Sequence, residues 1–301
     1  MAVSVKILGE GAVAGGRFPL GQVVFSRSFF ALIPVLIWIM LRSGLREAVA
    51  TRNPFGHIRR STVGILGMFS GFAGLLVLPL ADATVISYAA PLVTVMLAAL
   101  ILKERVRVFR WTAIAIGFVG VVIAMAPHLS IFSGAAGQFS GRGALLSLAG
   151  AVFAAFAMIE VRRLTATETT AAIVFYFSAF STLIGLITLP LGWYYPAWAW
   201  VMPHGWEMLT LVMIGIFGGL GQITLTSAYR LADTSVVAPF DYLNMIWAVA
   251  AGYALFGQLP DQAVVIGSAI IMLAGLFVIF RESQLGLERK RQLEAGPARS
   301  V

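Results

Sequence analysis

Long apolar stretches separated by short polar connections constrain this chain more than any other feature. Nine of the stretches are complete, and each has the roughly 20 residues that an α-helix needs to cross the hydrocarbon core of a bilayer. Helices satisfy their own backbone in lipid, and the stretches are too long for barrel strands, so the sequence predicts an all-α, polytopic membrane helical bundle. The predicted spans are Gly21–Leu41, Thr62–Leu80, Ala83–Leu102, Phe109–Ala126, Gly143–Ile159, Thr170–Leu189, Met208–Ala228, Thr234–Phe256 and Gln262–Phe280.

The composition agrees with a lipid environment. Charged residues make up 11% of the 301 residues and hydrophobic residues 59%, whereas a soluble protein carries about 25% charged residues. The net charge of +8 does not indicate nucleic-acid binding, because the basic residues fall in the connections between apolar spans. The chain has no cysteine, which excludes disulfides, thiol catalysis and cysteine-ligated metals.

Basic residues alternate from one connection to the next. The segments 42–61, 103–110, 160–169, 229–233 and 281–301 hold 17 Lys and Arg residues, and the alternate connections hold two, Arg17 and Arg142. The positive-inside rule then predicts that the first set is cytoplasmic, including the basic C-terminal tail 281–301. The connection 190–207 has no Lys or Arg but is rich in Trp and Tyr, which is typical of an aromatic belt at the outer interface.

This topology makes the first complete span begin outside. The apolar segment Met1–Gly9 precedes it and is too short to cross the membrane. We interpret this segment as the end of a first helix whose beginning is missing. The alternative interpretation is a nine-helix protein with a short outer N-terminal arm.

Two parts of the chain resemble each other at a constant offset of 151 residues. Segment 64–67 matches 215–218, and segment 80–85 matches 231–236. The basic connection 103–110 corresponds to Gly257–Asp261, which has no basic residue, so the two halves have opposite orientation. The sequence therefore predicts two inverted five-helix repeats, 1–126 and 141–280, the first with a truncated initial helix. Inverted repeats are typical of secondary transporters, where they act as alternating gates.

Several short segments occur in an order that is typical of one family. They are Gln22–Arg27, Ala83–Pro91 running into Leu102–Arg105, the glycines Gly117 and Gly120, Ala228–Pro239 and Phe256–Gln258. In this order the chain resembles the EamA-type branch of the drug/metabolite transporter superfamily, and within it the S-adenosylmethionine-uptake type. The resemblance implies ten helices in two inverted repeats and a multi-pass location in the cell (inner) membrane. The chain departs from the family pattern in its truncated first helix and in Gln258, where a Glu is usual.

Arg27 and Asp241 are ionisable residues that lie about two turns inside predicted spans. Charges within the membrane are costly and mark functional sites by default. One interpretation is structural: the two residues pair with each other or bond to backbone carbonyls. In the functional interpretation, Arg27 attracts an anionic group of the substrate, and Asp241 binds a cationic group or a proton.

Polar side chains also recur at helical spacing. Converging stripes of this type would line a cavity with aromatic walls and a few hydrogen-bonding groups, although the same groups could instead hydrogen-bond between helices. Pro91 and Pro239 interrupt helical hydrogen bonding, and we predict hinges at both, the alternative being simple bends of the helices. The predicted substrate-binding residues are Arg27, Tyr88, Thr94, Tyr176, Gln222, Thr226, Asp241, Asn244 and Trp247.

Sequence signatures of other functions are missing. The sequence has neither G-x-x-x-x-G-K-[ST] nor H-E-x-x-H, and His57, His128 and His204 fall in predicted loops, so we expect no metal site and no cofactor. The prediction is a secondary transporter, not an enzyme, that moves a small metabolite or drug by alternating access; a homodimer is left open. The alternatives are an intramembrane enzyme acting on lipid-linked substrates and a non-transporting scaffold or sensor.

Overall fold

The protein folds into a bundle of helices. The computed structural model describes residues 1–10, 18–42, 44–103, 106–128, 141–231 and 234–294, and the side chains at 10, 47, 229, 234–243, 282, 283 and 285–294 lie outside this description. The described residues form helices and connecting turns without strands. The helices are α1 (Ala2–Glu10), α2 (Leu20–Arg42), α3 (Leu45–Val49), α4 (Pro54–Val77), α5 (Leu80–Ser87), α6 (Ala89–Ile101), α7 (Val108–Met125), α8 (Gly141–Leu164), α9 (Thr170–Leu191), α10 (Trp206–Leu231), α11 (Thr234–Phe256) and α12 (Gln262–Glu294).

Among the described residues, eight helical segments are long and apolar enough to cross a membrane, with α5 and α6 together forming one of them. A shorter apolar helix, Asn244–Phe256, belongs to α11. Each predicted span coincides with one of these segments, so the polytopic helical bundle is confirmed. Three predicted bounds were wrong: α4 begins at Pro54 rather than Thr62, α8 ends at Leu164 rather than Ile159, and α12 continues past Phe280.

Asn53 determines where α4 begins. Its side-chain oxygen accepts a hydrogen bond from the backbone N–H of Gly56 at 2.9 Å, and Pro54 occupies the first helical position, where its missing N–H is no loss. Hydropathy does not detect this start, because polar residues interrupt the apolar run. His57 and Arg60 therefore belong to the helix and are buried, and the predicted loop location of both was wrong.

A break divides the third span into two helices. Helix α5 ends at Ser87, Tyr88 forms a turn, and α6 begins at Ala89. Pro91 lies in the first turn of α6, where it has no N–H to donate to the carbonyl of Ser87 and its ring crowds that carbonyl. The interruption expected from Pro91 therefore occurs one turn earlier, at Tyr88, and its role as a hinge stays a prediction.

Helices α4 and α8 pack with their backbones in contact. A Cβ added to Gly150 on α8 would lie 2.7 Å from the backbone nitrogen of Gly71 on α4, and one added to Gly74 would lie 2.9 Å from the carbonyl oxygen of Gly143. Apolar side chains gain little by leaving lipid, so such close approach at small residues is what holds membrane helices together. Glycines also bring α7 close to α12 and α2 close to α10.

The connections 44–53 and 165–169 meet at one end of the bundle, which we call the Glu168 end. The buried Glu168 carboxylate accepts hydrogen bonds through Oε1 from the Thr51 hydroxyl at 3.0 Å and from the backbone N–H groups of Arg52 and Asn53 at 2.8 Å each. The imidazole Nε2 of His57 lies 3.7 Å from Oε2. Two connections that their basic residues assign to the same side of the membrane are therefore joined through one carboxylate.

At the opposite end, which we call the Gln22 end, α2 is joined to the aromatic connection between α9 and α10. The Gln22 side chain donates through Nε2 to the carbonyl of Val201 at 2.7 Å and accepts from the N–H of the same residue at 2.9 Å. His128 is buried in a short 3₁₀ turn at this end, with its Nε2 3.2 Å from Oδ2 of the buried Asp82. The loop location predicted for His128 is thus corrected to a buried turn.

Burial acts to raise the pKa of the Glu168 carboxyl. The N–H of Arg52, the hydroxyl of Thr51, the N–H of Asn53 and the nearby His57 together outweigh burial and leave this pKa below its usual value. A group with a lowered pKa in the folded state stabilises the fold above its unfolded pKa and loses that contribution as the pH falls through the folded value. The Glu168 end should therefore weaken in acid.

Replacing Gly150 by Ala should destabilise the protein, because the new methyl group would meet the backbone of Gly71 and force α4 and α8 apart. We expect a loss of about 1–3 kcal/mol, typical of overpacking, measured as a lower unfolding temperature in detergent. Gly71→Ala is the matched control, since a Cβ there meets nothing within 4 Å and Ala favours the helix. Equal stability of the two variants would contradict the described contact.

Glu168→Ala should lower the free energy of unfolding by about 2–4 kcal/mol at neutral pH, because it leaves several donors without a charged acceptor. The difference from the wild type should shrink below about pH 4, as followed by thermal unfolding across a pH series. Glu160→Ala is the control, since Glu160 pairs with Arg59 and Arg163, whose side chains are 56% and 39% exposed, and pairs with exposed partners contribute about 0–1 kcal/mol. A difference that grows in acid would contradict the role given to Glu168.

Candidate functional site

A cavity of about 300 Å³ lies between helices from both halves of the chain. Its walls come from α2, α4, α8, α9 and α10. The volume is at the lower end of the range of about 300–1,000 Å³ that is typical of ligand pockets. Most of the lining is apolar, and its polar side chains are those of Arg27, Arg60, Gln222 and Thr226.

The cavity lies closer to the Glu168 end than to the Gln22 end. Val161 and Thr226 line it within about two helical turns of the C-terminal ends of α8 and α10, and Arg60 lines it about two turns after the start of α4. All three of these helix ends belong to the Glu168 end. The hydrogen bonds between Gln22 and Val201 join the helices on the other side.

Two arginines lie within cation–π distance of one aromatic ring in this cavity. The guanidinium carbon of Arg27 lies 5.5 Å and that of Arg60 lies 4.1 Å from the centroid of the Phe177 ring. Both distances are within the limit of about 6 Å for cation–π attraction. The two arginines are 7% and 5% exposed. Each guanidinium group therefore interacts with the ring, while the two positive charges repel each other.

Within the described part of the chain, no acidic side chain neutralises this pair. Nε and Nη1 of both Arg27 and Arg60 are buried without a hydrogen-bond partner, and the described lining of the cavity contains no carboxylate. An unpaired buried charge is strongly unfavourable, and within a membrane span such a charge is expected to be functional. An anionic ligand would supply the acceptors that both groups lack.

Glycines leave room for both guanidinium groups. A Cβ on Gly64, one turn after Arg60 in α4, would collide with Nη1 of Arg60 and would lie 2.7 Å from Cε2 of Phe177. A Cβ on Gly218 in α10 would lie 3.1 Å from Nε of Arg27. Both glycines belong to the similar tetrapeptides in the two halves of the sequence, so part of that glycine pattern accommodates arginine side chains.

Three of the predicted substrate-binding residues line the cavity together. They are Arg27 on α2 and Gln222 and Thr226 on α10. The spacing of the two α10 residues places them one turn apart on the same helix face, as the sequence predicted. Thr226 is buried and Gln222 is half-buried, so the cavity lining offers an amide and a hydroxyl besides the arginines.

Tyr88, Thr94 and Tyr176 lie outside the described lining of the cavity. Tyr88 is buried at the break between α5 and α6. The Thr94 hydroxyl donates to the carbonyl of Ala90 in its own helix at 2.8 Å. The Tyr176 hydroxyl donates to the carbonyl of Val49 at 2.7 Å, at the Glu168 end. A role in binding for these three residues stays a prediction from the sequence.

The predicted site residues of α11 are not brought into the cavity by the described structure. Asn244 is exposed, and Trp247 is 71% exposed on the outside of the bundle. The side chains of Asp241 and Pro239 lie outside the described residues. Their roles as a substrate-binding residue and a hinge stay predictions.

Arg60 and Phe177 are the site residues that the sequence patterns did not reveal. Hydropathy assigns Arg60 to a connection, because Arg59 and Arg60 stand together before the apolar run. The signal that could have identified it is the pair Asn53 and Pro54, which starts a helix and places Arg60 about two turns inside it. No comparable signal distinguishes Phe177 among 21 phenylalanines.

Curated proteins that are similar to this chain are named as transporters. An S-adenosylmethionine uptake transporter of Rickettsia prowazekii is 32% identical over 270 residues, which are 90% of this chain and 86% of that protein. A riboflavin transporter of Rhizobium johnstonii is 30% identical over 91% of this chain and 84% of its own length. A pseudopaline exporter of Pseudomonas aeruginosa is 28% identical over 87% and 86%. The relatives are transporters rather than enzymes, as predicted.

A solved crystal structure has the same fold, with a TM-score of 0.63 at 18% sequence identity over 94% of this chain and 96% of that chain. The sequence profile of the EamA-like transporter family matches residues 8–126 and 141–281. Together with the apolar helices, these matches make the protein a multi-pass membrane protein and a secondary transporter of small metabolites. The chain therefore belongs to the EamA-like transporter family, as the order of its sequence segments predicted.

Proposed function

We propose that this transporter takes up S-adenosylmethionine, or a closely similar amino-acid derivative, and that the cavity around Arg27 is its substrate site. The observation that carries the proposal is the buried Arg27 guanidinium, which faces the cavity with N–H groups that have no partner. An anionic group of the substrate would complete these hydrogen bonds. The proposal follows the functional interpretation of Arg27 rather than the structural one.

The choice of substrate rests on the relatives and on chemistry. Rickettsial relatives that are 31–32% identical are named S-adenosylmethionine uptake transporters. S-adenosylmethionine has a carboxylate that suits Arg27 and an adenine whose polar edge suits Gln222 and Thr226. Its cationic amino-acid and sulfonium groups suit the predicted carboxylate of Asp241. The apolar lining of the cavity, which includes Phe72, suits the aromatic face of the base.

Transport requires that the cavity open to each side in turn. We propose that residues 1–126 and 141–280 are inverted repeats that act as the two gates. The separate matches of the family profile to 8–126 and 141–281 support this division. The cavity walls also support it, because α2 and α4 come from the first half and α8, α9 and α10 from the second.

The orientation of the bundle follows from its basic connections. We propose that the Glu168 end faces the cytoplasm and that the protein lies in the inner membrane, with its C-terminus cytoplasmic. The asymmetry of Lys and Arg supports this orientation. The cavity lies closer to the Glu168 end, so the described conformation would present the site toward the cytoplasm.

Transport by the purified full chain tests the proposal. In proteoliposomes, radiolabelled S-adenosylmethionine should accumulate with saturation kinetics above the level of empty liposomes. Saturable flux of another metabolite from a panel, with none of S-adenosylmethionine, would refute the proposed substrate. The absence of flux for every solute and gradient would refute transport by this chain.

Arg27→Gln should reduce uptake at least tenfold, because removing one partner of a buried, hydrogen-bonded charge pair costs about 2–5 kcal/mol. Uptake into proteoliposomes is the measurement, normalised to the amount of inserted protein. Arg59→Gln is the matched control, since the Arg59 side chain is 56% exposed and pairs with Glu160. Normal uptake by Arg27→Gln, or equal losses in both variants, would contradict the site.

Asp241→Asn should also reduce uptake while leaving membrane insertion unchanged, because the amide cannot compensate a cationic group or carry a proton. Initial rates at several external pH values are the measurement. A proton-binding Asp241 predicts that the pH dependence of the wild type disappears in the variant. An unchanged rate and pH dependence would remove Asp241 from the mechanism.

A further inference from the structure

The Phe177 ring lies within cation–π distance of both buried arginines. The guanidinium groups of Arg27 and Arg60 come from different helices, α2 and α4, and Phe177 comes from a third, α9. Phe177 is itself buried, with 4% exposed. The ring therefore interacts with guanidinium groups from two different helices.

An aromatic ring holds a guanidinium group differently from a carboxylate. A carboxylate would accept the N–H groups and neutralise the charge, whereas the ring attracts the cation through its face and accepts no conventional hydrogen bond. In the described structure, Nε and Nη1 of both arginines are without hydrogen-bond partners. Phe177 thus holds both cations in place and leaves their hydrogen-bonding capacity for a ligand.

Glycines and neutral polar side chains surround Arg27, Arg60 and Phe177 in the described structure. Gly64 and Gly218 are the positions where a Cβ would press on Arg60 and Arg27, respectively. The remaining polar side chains of the described lining, Gln222 and Thr226, are neutral. The described lining therefore offers no negative charge of its own, and an anionic ligand would supply one.

We propose that Arg27, Arg60 and Phe177 form one carboxylate-binding unit, in which a carboxylate of the substrate bridges both guanidinium groups and Phe177 is their positioning residue. The proposal rests on the proposed function, which makes this cavity the substrate site, and adds the chemical group that the site selects. It assigns Arg60 to the site although its sequence neighbour Arg59 is an exposed surface residue. It also gives Phe177 an electrostatic role, which depends on the aromatic ring and not only on the volume of the side chain.

Binding of matched ligand pairs to the full chain in lipid nanodiscs tests the proposal. One pair is S-adenosylmethionine and decarboxylated S-adenosylmethionine, which differ in the carboxylate; further pairs are small metabolite acids and their primary amides. The wild type should bind the carboxylate member at least tenfold more tightly, as expected for charge-assisted hydrogen bonds. Arg60→Gln should reduce this preference to about threefold or less.

Substitutions at Phe177 separate its charge distribution from its shape. Phe177→Leu should reduce the carboxylate preference to about threefold or less, while Phe177→Tyr should retain it. Replacing Phe177 by 3,4,5-trifluorophenylalanine, which withdraws electron density from the ring with little change in shape, should reduce the preference as well. Phe180→Leu, three residues further along α9 and outside the described cavity lining, should leave it unchanged.

The outcomes distinguish this proposal from the proposed function. If other acids bind more tightly than their amides but S-adenosylmethionine does not bind, the proposed substrate is wrong and the carboxylate-binding unit stands. If no acid is preferred over its amide in the wild type, the unit is overturned, whatever the transport assay gives. A preference that persists in the leucine and trifluorinated variants, or an equal loss of both ligands of a pair, would overturn the role of Phe177.

Discussion

Lipid supplies neither hydrogen bonds nor counter-charges, and the bundle meets this constraint in two ways. Backbone groups are satisfied within each helix, and helices are held together by close approach at small residues. Helices α4 and α8 illustrate the second way, since their backbones touch at Gly71 and Gly150. Both helices also form walls of the cavity, so the position of the site depends on a contact that only glycine permits.

Two adjacent residues of α4, Arg59 and Arg60, place their charges in very different surroundings. The Arg59 side chain is exposed and pairs with Glu160, whereas Arg60 is buried over Phe177. Successive residues of an α-helix are rotated by about 100°. This rotation places Arg59 on the exposed side of α4 and Arg60 in the lining of the cavity. A count of basic residues per connection cannot separate these two roles.

The features of the structure that depend on local periodicity and hydropathy could be predicted from the sequence. Eight of the nine predicted spans, the helical bundle and the face of α10 that carries Gln222 and Thr226 follow from local patterns, and the family follows from a resemblance in the order of short segments. Contacts between residues that are distant in the chain could not be predicted from these patterns. Tyr176 had the residue type and depth expected of a cavity residue, yet its hydroxyl is used by the carbonyl of Val49. Phe177, its neighbour, faces the arginines because of how α9 is rotated against α2 and α4, and no pattern within α9 specifies that rotation.

The contact between Gln22 and Val201 has a consequence for how the two ends of the bundle can behave. A side-chain amide there pairs with a main-chain peptide through both its donor and its acceptor, much as two neighbouring strands pair. Water can replace each of these neutral hydrogen bonds, so the net loss on separation is only about 1 kcal/mol per bond. At the Glu168 end, by contrast, separation would expose donors that are arranged around a full negative charge. The contact between Gln22 and Val201 can therefore be made and broken without moving a charge between protein and solvent.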